Sequence, residues 1–282
     1  MIDIKKIIAL ETLQDTVTRF NLAPKKSLGQ NFLFDLNITQ KIARIAGKLD
    51  SGTVIEVGPG PGGLTRGLFL SGAQNVIAID TDPRTESALE PLIQATDRNL
   101  SLFIGDAKKV DISTLGESPR QIVANLPYNV GTLLLTKWLE TPTQFSKMTL
   151  MFQKEVAQRI TASVGDKHYG RLAILCNWSC HTQIEMYLSP SAFTPPPKVD
   201  SAVITLVPRP MPLYNCDAKS LSTITKSAFG QRRKMIRGSL KSLGVDVAEL
   251  LTQANIVETK RAEELTIEEF CRLANIYNTI KT

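Results

Sequence analysis

Two clusters of residues in this chain have types and spacing that could do chemistry. The first is Gly58-Pro59-Gly60-Pro61-Gly62-Gly63, in which Gly58, Gly60 and Gly63 fit a G-x-G-x-x-G spacing. Glycines there let the backbone approach a ligand closely. The loop follows an apolar run, Thr53-Val54-Ile55-Glu56-Val57, and Asp80 closes the next one, Val76-Ile77-Ala78-Ile79. A carboxylate at that place can accept both hydroxyls of a ribose. These features fit NAD as well as S-adenosylmethionine, and a glycine turn that serves only packing is the plainer alternative. Glu56 and the two prolines inside the loop lean toward S-adenosylmethionine, whose sulfonium and amino group are cationic and which has no pyrophosphate to seat.

The second cluster is Asn125-Leu126-Pro127-Tyr128, which closes the apolar run Gln121-Ile122-Val123-Ala124. The exocyclic amine of adenine is a poor nucleophile because its lone pair is delocalised into the ring. The Asn125 amide oxygen and the Leu126 carbonyl could each accept one N–H of such an amine. Accepting both favours a pyramidal nitrogen whose lone pair points at a sulfonium methyl. Pro127 would fix the backbone so that this carbonyl faces the site, and Tyr128 offers a flat face for an extruded base. A strand-ending Asn-Pro turn with a packed Tyr is the alternative. Following the glycine loop and Asp80, the functional reading is the stronger.

These residues need elements to hold them. Four short apolar runs, at 53–57, 76–79, 100–104 and 121–124, alternate with helical patterns and end in polar or Gly residues. That alternation predicts βαβ units and a parallel, doubly wound sheet buried on both faces, with its ligand edge at the strand C-termini. A strand over 148–152, helices over 154–163 and 171–177, and strands over 184–188 and 202–207 complete the layer. Pro208, Pro210 and Pro212 then punctuate the chain, and the remainder reads helical. We expect a domain at 1–208, with residues 1–24 as an N-terminal arm of open role, and a small all-helical domain at 209–282.

The chain has 282 residues, 43% hydrophobic and 21% charged, which is ordinary globular usage and excludes wholesale disorder. No stretch approaches the ~20 apolar residues that span a bilayer. Asp3, Glu11 and Asp15 make the N-terminus too acidic for a typical transit peptide, and no apolar block marks a secretory signal. A cytoplasmic protein is expected, and nothing demands a second copy, so a monomer. Cys176, Cys180, Cys216 and Cys271 show no CxxC spacing and read as ordinary thiols. His168 and His181 lack catalytic partners, and methyl transfer to an amine needs no metal.

From about Lys25 to near its end, the sequence resembles the ribosomal RNA adenine dimethyltransferase family (KsgA-like). The resemblance rests on residues 26–33 (Lys-Ser-Leu-Gly-Gln-Asn-Phe-Leu), the Glu56–Gly62 loop, Gly105-Asp106-Ala107, Asn125–Tyr128, residues 193–201 (Phe-Thr-Pro-Pro-Pro-Lys-Val-Asp-Ser) and residues 229–234 (Phe-Gly-Gln-Arg-Arg-Lys). It implies a Rossmann-like methyltransferase fold, S-adenosylmethionine as donor, and dimethylation of two adjacent adenosines near the 3′ end of small-subunit ribosomal RNA on the immature subunit. It also implies that Asn31, Leu33, Gly58, Asp80, Asp106 and Asn125 bind the donor. Asn31 and Leu33 would close over it, and Asp106 would take its adenine amino group. Asp80 departs from the Glu common in the family, so the strand end must sit slightly closer to the ribose. Phe193, in a stiff proline-rich loop, would stack opposite Tyr128; the alternative is that it plugs a core gap.

The last cluster is electrostatic. Arg232, Arg233, Lys234 and Arg237 lie between Lys226 and Lys241 with no acid among them, within a chain of 33 basic and 27 acidic side chains. Arg233, Arg237 and Lys241 recur every fourth residue, which predicts one basic helix face, with Ile236, Leu240 and Leu243 on a different, apolar one. Such a stripe suits RNA phosphates, and Lys25 and Lys26 would add to it. Two rival functions remain: a dimethylase acting on large-subunit RNA, and an assembly factor that mainly binds RNA. A dehydrogenase is remote, since no residue offers itself as a hydride-transfer partner.

Overall fold

Mostly apolar runs form strands covered on both faces, and this chain builds the middle of its sheet from them, at 53–57, 76–80, 120–125 and 147–153. The run at 100–104, expected to be buried on both faces as well, is an edge strand with Phe103 and Ile104 exposed. The computed structural model describes residues 2–25, 28–231 and 233–281. Lys26 and Arg232, two of the expected RNA-contact residues, lie outside the described residues. The first half runs α1 (Ile4–Ile8), α2 (Leu13–Arg19), β1 (Phe32–Leu33), α3 (Leu36–Ala46), β2 (Thr53–Val57), α4 (Gly63–Leu70), β3 (Val76–Asp80), α5 (Arg84–Ala95) and β4 (Leu100–Ile104). Then come β5 (Arg120–Asn125), α6 (Gly131–Trp138), β6 (Lys147–Gln153), α7 (Lys154–Thr161), α8 (Arg171–Ser179), β7 (Cys180–Leu188), β8 (Phe193–Thr194) and β9 (Ser201–Pro208). The chain closes with α9 (Ala218–Gly230), α10 (Ile236–Ser239), α11 (Val247–Gln253) and α12 (Ile267–Lys281). Among the described residues no helix is long and apolar enough to cross a membrane.

It divides into two compact units, Met1–Ala157 with Gln183–Pro208, and Gln158–Thr182 with Arg209–Thr282. In the first, a seven-stranded sheet has the order β4-β3-β2-β5-β6-β9-β7. Neighbours from β4 to β6 are parallel, and β9 is antiparallel to β6. The strand order reverses between β2 and β5, so the loops after these two strands diverge and leave a crevice. Register brings the chemistry to one edge. Gly58 N–H donates to the Ile79 carbonyl at 2.9 Å and Gly105 N–H to the Asp80 carbonyl at 2.7 Å, so the ends of β2, β3 and β4 lie level. Asn125 pairs with Met151 at the end of β5. The parallel β4–β6 part is what the apolar runs predict, and the whole is the Rossmann-like α/β architecture that the resemblance implies.

The second unit is helical, and it takes in more chain than the prolines suggest. Residues 158–182, placed with the first domain on sequence, group here because Tyr169, Ala173, Ile174 and Trp178 share one core with Leu221, Ile224, Phe270 and Leu273. Tyr169 donates its hydroxyl to the Leu265 carbonyl at 3.0 Å. The prolines mark where the chain leaves the sheet, whereas the apolar face of α8 determines its partner.

The basic segment is not one helix face. The α9 helix stops at Gly230, Gln231 has left helical backbone angles, and Met235 forms a bridge with Arg261. Arg233 and Lys234 therefore sit in an exposed turn, Arg237 in the four-residue α10 and Lys241 in the following 3-10 turn. Ile236 and Leu240 are buried as the pattern predicts, because each turn is pulled inward by its own apolar residue.

Candidate active site

The trough over the sheet edge has two parts. One, of about 680 Å³, is lined by Asn31, Leu33, Glu56, Gly58, Gly60, Asp80 and Asn125 through Tyr128, among others. The second, of about 820 Å³, adds Gly105, Asp106, Asn129 and Val130 and shares Leu28, Gly58, Asp80, Thr81 and Pro127 with the first. All the expected donor residues and the whole Asn125–Tyr128 run thus meet in one place. Leu28, Gln30 and Phe32, which fall in the 26–33 stretch that carries the resemblance, also line it, as does Thr81, which no motif singles out.

The glycine loop adopts backbone that only glycine takes easily. Gly58 has φ +78° and Gly60 φ +53°. A Cβ on Gly60 would stand 2.8 Å from Cε1 of Phe32, so the loop and the Phe32 ring are in closest approach. A Cβ on Gly58 would meet Pro127 and the Asn125 carbonyl at 3.8 and 3.9 Å, inside space that the trough keeps open. That bare backbone suits the close approach of a nucleoside.

The floor is acidic. Glu56, 1% exposed, accepts the Thr65 hydroxyl at 2.7 Å. Burial, reinforced by Asp80, pushes its carboxyl up to about 8, while the Thr65 hydrogen bond pulls the other way. Asp80 takes the N–H of Gly60 at 3.3 Å and of Asp82 at 2.9 Å. Burial also raises the Asp80 carboxyl, against those two hydrogen bonds. Next along, Asp82 is buried at 1% exposure and held down to about 2, chiefly by hydrogen bonds from Arg84. Asp106 lies on the open side of the trough, where the Lys108 N–H and ammonium lower its carboxyl. The Lys137 ammonium donates to the carbonyls of Lys108 and Val110, both at 2.8 Å, and so fixes the loop that carries Asp106.

At the end of β5, the strand beside β2, Asn125 donates its amide N–H to the Asn31 carbonyl at 3.1 Å. The Asn31 amide in turn donates to the Gly29 carbonyl at 3.3 Å. Pro127 closes the first turn of α6 by accepting N–H groups from Val130 and Gly131. Tyr128 is half-buried, and its hydroxyl lies 2.6 Å from that of Ser201, so the phenol ring is held at its far end. Among the described residues no group of three or more His, Cys, Asp or Glu stands where it could hold a metal ion.

Phe193 does not present a stacking face. It pairs with Leu33 in the antiparallel β1–β8 ladder, is 3% exposed and belongs to the core with Leu33, Met151 and Val203. The strand alternation that turns Thr194 outward turns Phe193 inward. The core-plug alternative is the one the fold adopts. Lys25 is half exposed, with its ammonium 3.9 Å from Asp82, beside the trough. Arg237 pairs with Glu258 at 2.8 Å, whereas Arg233 and Lys234 form no ion pair among the described residues.

A family model described as ribosomal RNA adenine dimethylase matches residues 21–279. The chain belongs to the ribosomal RNA adenine dimethylase family. It is therefore an adenine dimethyltransferase with S-adenosylmethionine as methyl donor, and the open backbone at Gly58 over an acidic floor fits that cationic nucleoside. Similar members include the ribosomal RNA small subunit methyltransferase A of Xanthobacter autotrophicus, 53% identical over 277 residues that cover 97% of this chain and 96% of that one. The same-named protein of Allorhizobium ampelinum is 53% identical, covering 95% and 98%. Among solved structures, a dimethyladenosine transferase from Plasmodium falciparum superposes with a TM-score of 0.73 at 27% identity, over 89% of this chain and 98% of that one. The 23S ribosomal RNA methyltransferase ErmE, at 23% identity and a TM-score of 0.66, shares the fold.

Proposed function

We propose that this dimethylase acts on two adjacent adenosines near the 3′ end of small-subunit ribosomal RNA, on the immature subunit, as a cytoplasmic monomer. The observation that carries the reading is that Asn125 through Tyr128 line the same trough as the glycine loop and the Asp80 carboxylate. Full-length similarity to proteins named small subunit methyltransferase A supports the choice of subunit.

S-adenosylmethionine supplies an electrophilic methyl group. In this reading Gly58 and Gly60 give its nucleoside close backbone contact, and Asp80 accepts its ribose hydroxyls. Asp106 takes its adenine amine, Glu56 faces its cationic end, and Asn31 with Leu33 closes the cover. The Asn125 amide has its N–H committed to Asn31, so its oxygen is left to accept from the target adenine amine. The Leu126 carbonyl accepts the amine's second N–H, with Pro127 fixing the backbone and Tyr128 stacking on the base. In the first transfer two acceptors hold the amine pyramidal, so that its lone pair, not a strong base on the protein, would form the N–C bond as the sulfonium S–CH3 bond breaks and S-adenosylhomocysteine leaves. The nitrogen's surplus proton would pass to water, and the second transfer has one N–H left to be accepted.

Within the helical unit, residues 209–282 with Arg233, Lys234 and Arg237 are the RNA-binding part, contributing affinity through phosphates. The deciding experiment is transfer from radiolabelled S-adenosylmethionine to unmodified small and large subunits, presented separately. Dimethyladenosine in small-subunit RNA alone is expected. Label in the large subunit would transfer the reading to the resistance type of enzyme, and label in neither, with donor still bound, to an assembly factor.

A further inference from the structure

The N-terminal arm takes no part in the proposed chemistry, yet the fold fastens it beside the donor floor. Ile7 of α1 is in the main core, and Leu22 packs with Phe32 and Ala88. Arg66 of α4, 5% exposed, donates to the Glu11 carbonyl at 2.7 Å. The second tie is at Arg84, the first residue of α5. Its guanidinium donates to the carbonyls of Asn21 and Ala23 from one side. From the other it grips Asp82, with Nε 3.0 and 3.1 Å from the two carboxylate oxygens and Nη2 at 2.6 Å.

Asp82 continues the chain of contacts. Its own N–H donates to Asp80 at 2.9 Å, and its carboxylate also receives the Gln30 amide at 3.5 Å. The other Asp80 oxygen takes the Gly60 N–H. One arginine therefore connects the end of the arm to the carboxylate and, through it, to the glycine loop. A planar fork of five N–H donors serves a carboxylate and two carbonyls at once in a fixed geometry, whereas an ammonium offers three donors from a single nitrogen.

We propose that Arg84 is a positioning residue for the methyl donor, acting through Asp82 to hold the Asp80 carboxylate and tying residues 21–23 to that hold. The proposal rests on the reading of Asp80 as the ribose acceptor.

The test is calorimetric binding of S-adenosylhomocysteine to the full chain, with the donor KM and kcat measured beside it. Losing the support of a charge-assisted hydrogen-bonded fork is expected to raise the Kd of Arg84→Ala about tenfold and to raise the donor KM with it. At saturating donor, kcat stays near the wild-type value. Arg84→Lys, the variant to use should Arg84→Ala fail to fold, is expected to recover only part of the affinity. Ile7→Ala loosens the arm without touching Arg84 and is expected to lower the melting temperature with Kd unchanged. A wild-type Kd in Arg84→Lys and in folded Arg84→Ala, with binding lost in Asp80→Asn, would overturn the proposal and leave the ribose reading standing. Retained binding in Asp80→Asn would overturn that reading instead.

Discussion

Asn125 at the end of β5 and Asn31 in the segment before β1 are joined by one hydrogen bond, from the Asn125 amide N–H to the Asn31 carbonyl at 3.1 Å. The bond settles which end of the amide is left over. With the nitrogen engaged, the oxygen is the free acceptor, and an acceptor is what an amine nucleophile needs. The same bond fastens the 28–33 segment, which lines the trough, to the strand that carries the chemistry. Cover and acceptor are thus set by one residue.

Asn125→Ala removes the acceptor and the tie together. Loss of one group that acts in the transition state costs about a hundredfold or more in turnover, so single-turnover methyl transfer should fall by at least that much. The lost hydrogen bond should cost only about 1 kcal/mol of stability. Asn125→Asp keeps an acceptor but sets a carboxylate against the Asn31 carbonyl, and it should fold less stably than the Ala variant. Turnover in Asn125→Ala within a few-fold of wild type would remove the residue from the reaction.

Glu56 makes the site pH-sensitive. Its carboxyl is raised from 4.5 to about 8, chiefly by burial. Between those values the unfolded chain is ionised at this residue while the folded chain keeps its proton. Stability from this group is therefore fully present below about pH 4.5 and is lost as pH rises through about 8. Glu56→Gln should flatten that part of the denaturant-derived stability profile and gain most at the alkaline end. A cationic donor beside Glu56 favours the ionised form, so donor binding near neutral pH should release a proton. Titration calorimetry in buffers of different ionisation enthalpy measures it. Proton release that persists in Glu56→Gln would assign the effect elsewhere.

Much of this site was legible in the sequence because its parts are local. A glycine loop after a strand, an acid ending the next strand and Asn125-Leu126-Pro127-Tyr128 ending another need only the parallel register to meet. The illegible parts depend on pairing between distant segments. Phe193 turns inward because β8 pairs with β1, and no spacing reveals that pairing. The Arg84–Asp82 fork is two residues apart in sequence, yet its meaning comes from the carbonyls of Asn21 and Ala23. Likewise the four-residue recurrence of Arg233, Arg237 and Lys241 suggests a helix that Gly230 and the Met235–Arg261 bridge interrupt. The periodicity is real for Ile236 and Leu240, which are buried, but the chain reaches that pattern through turns.

That interruption sharpens the role expected of the basic segment. Arg237 is already paired with Glu258 at 2.8 Å, both about half exposed, so part of its charge is answered within the protein. Arg233 and Lys234 sit in an exposed turn without an ion pair among the described residues, and so are the better placed of the three to neutralise phosphates. Removing one phosphate-binding cation should lower the magnitude of the slope of log binding constant against log salt by about 0.7 to 0.9. The Arg233→Ala, Lys234→Ala pair should therefore reduce it by nearly twice that, and Arg237→Ala by clearly less than a single unpaired cation would. Binding to small-subunit RNA across a salt series measures all three. A drop for Arg237→Ala as large as one unpaired cation's, about half that of the paired variant, would show that the Glu258 pair opens on RNA, and a slope unchanged in every variant would remove this turn from the interface.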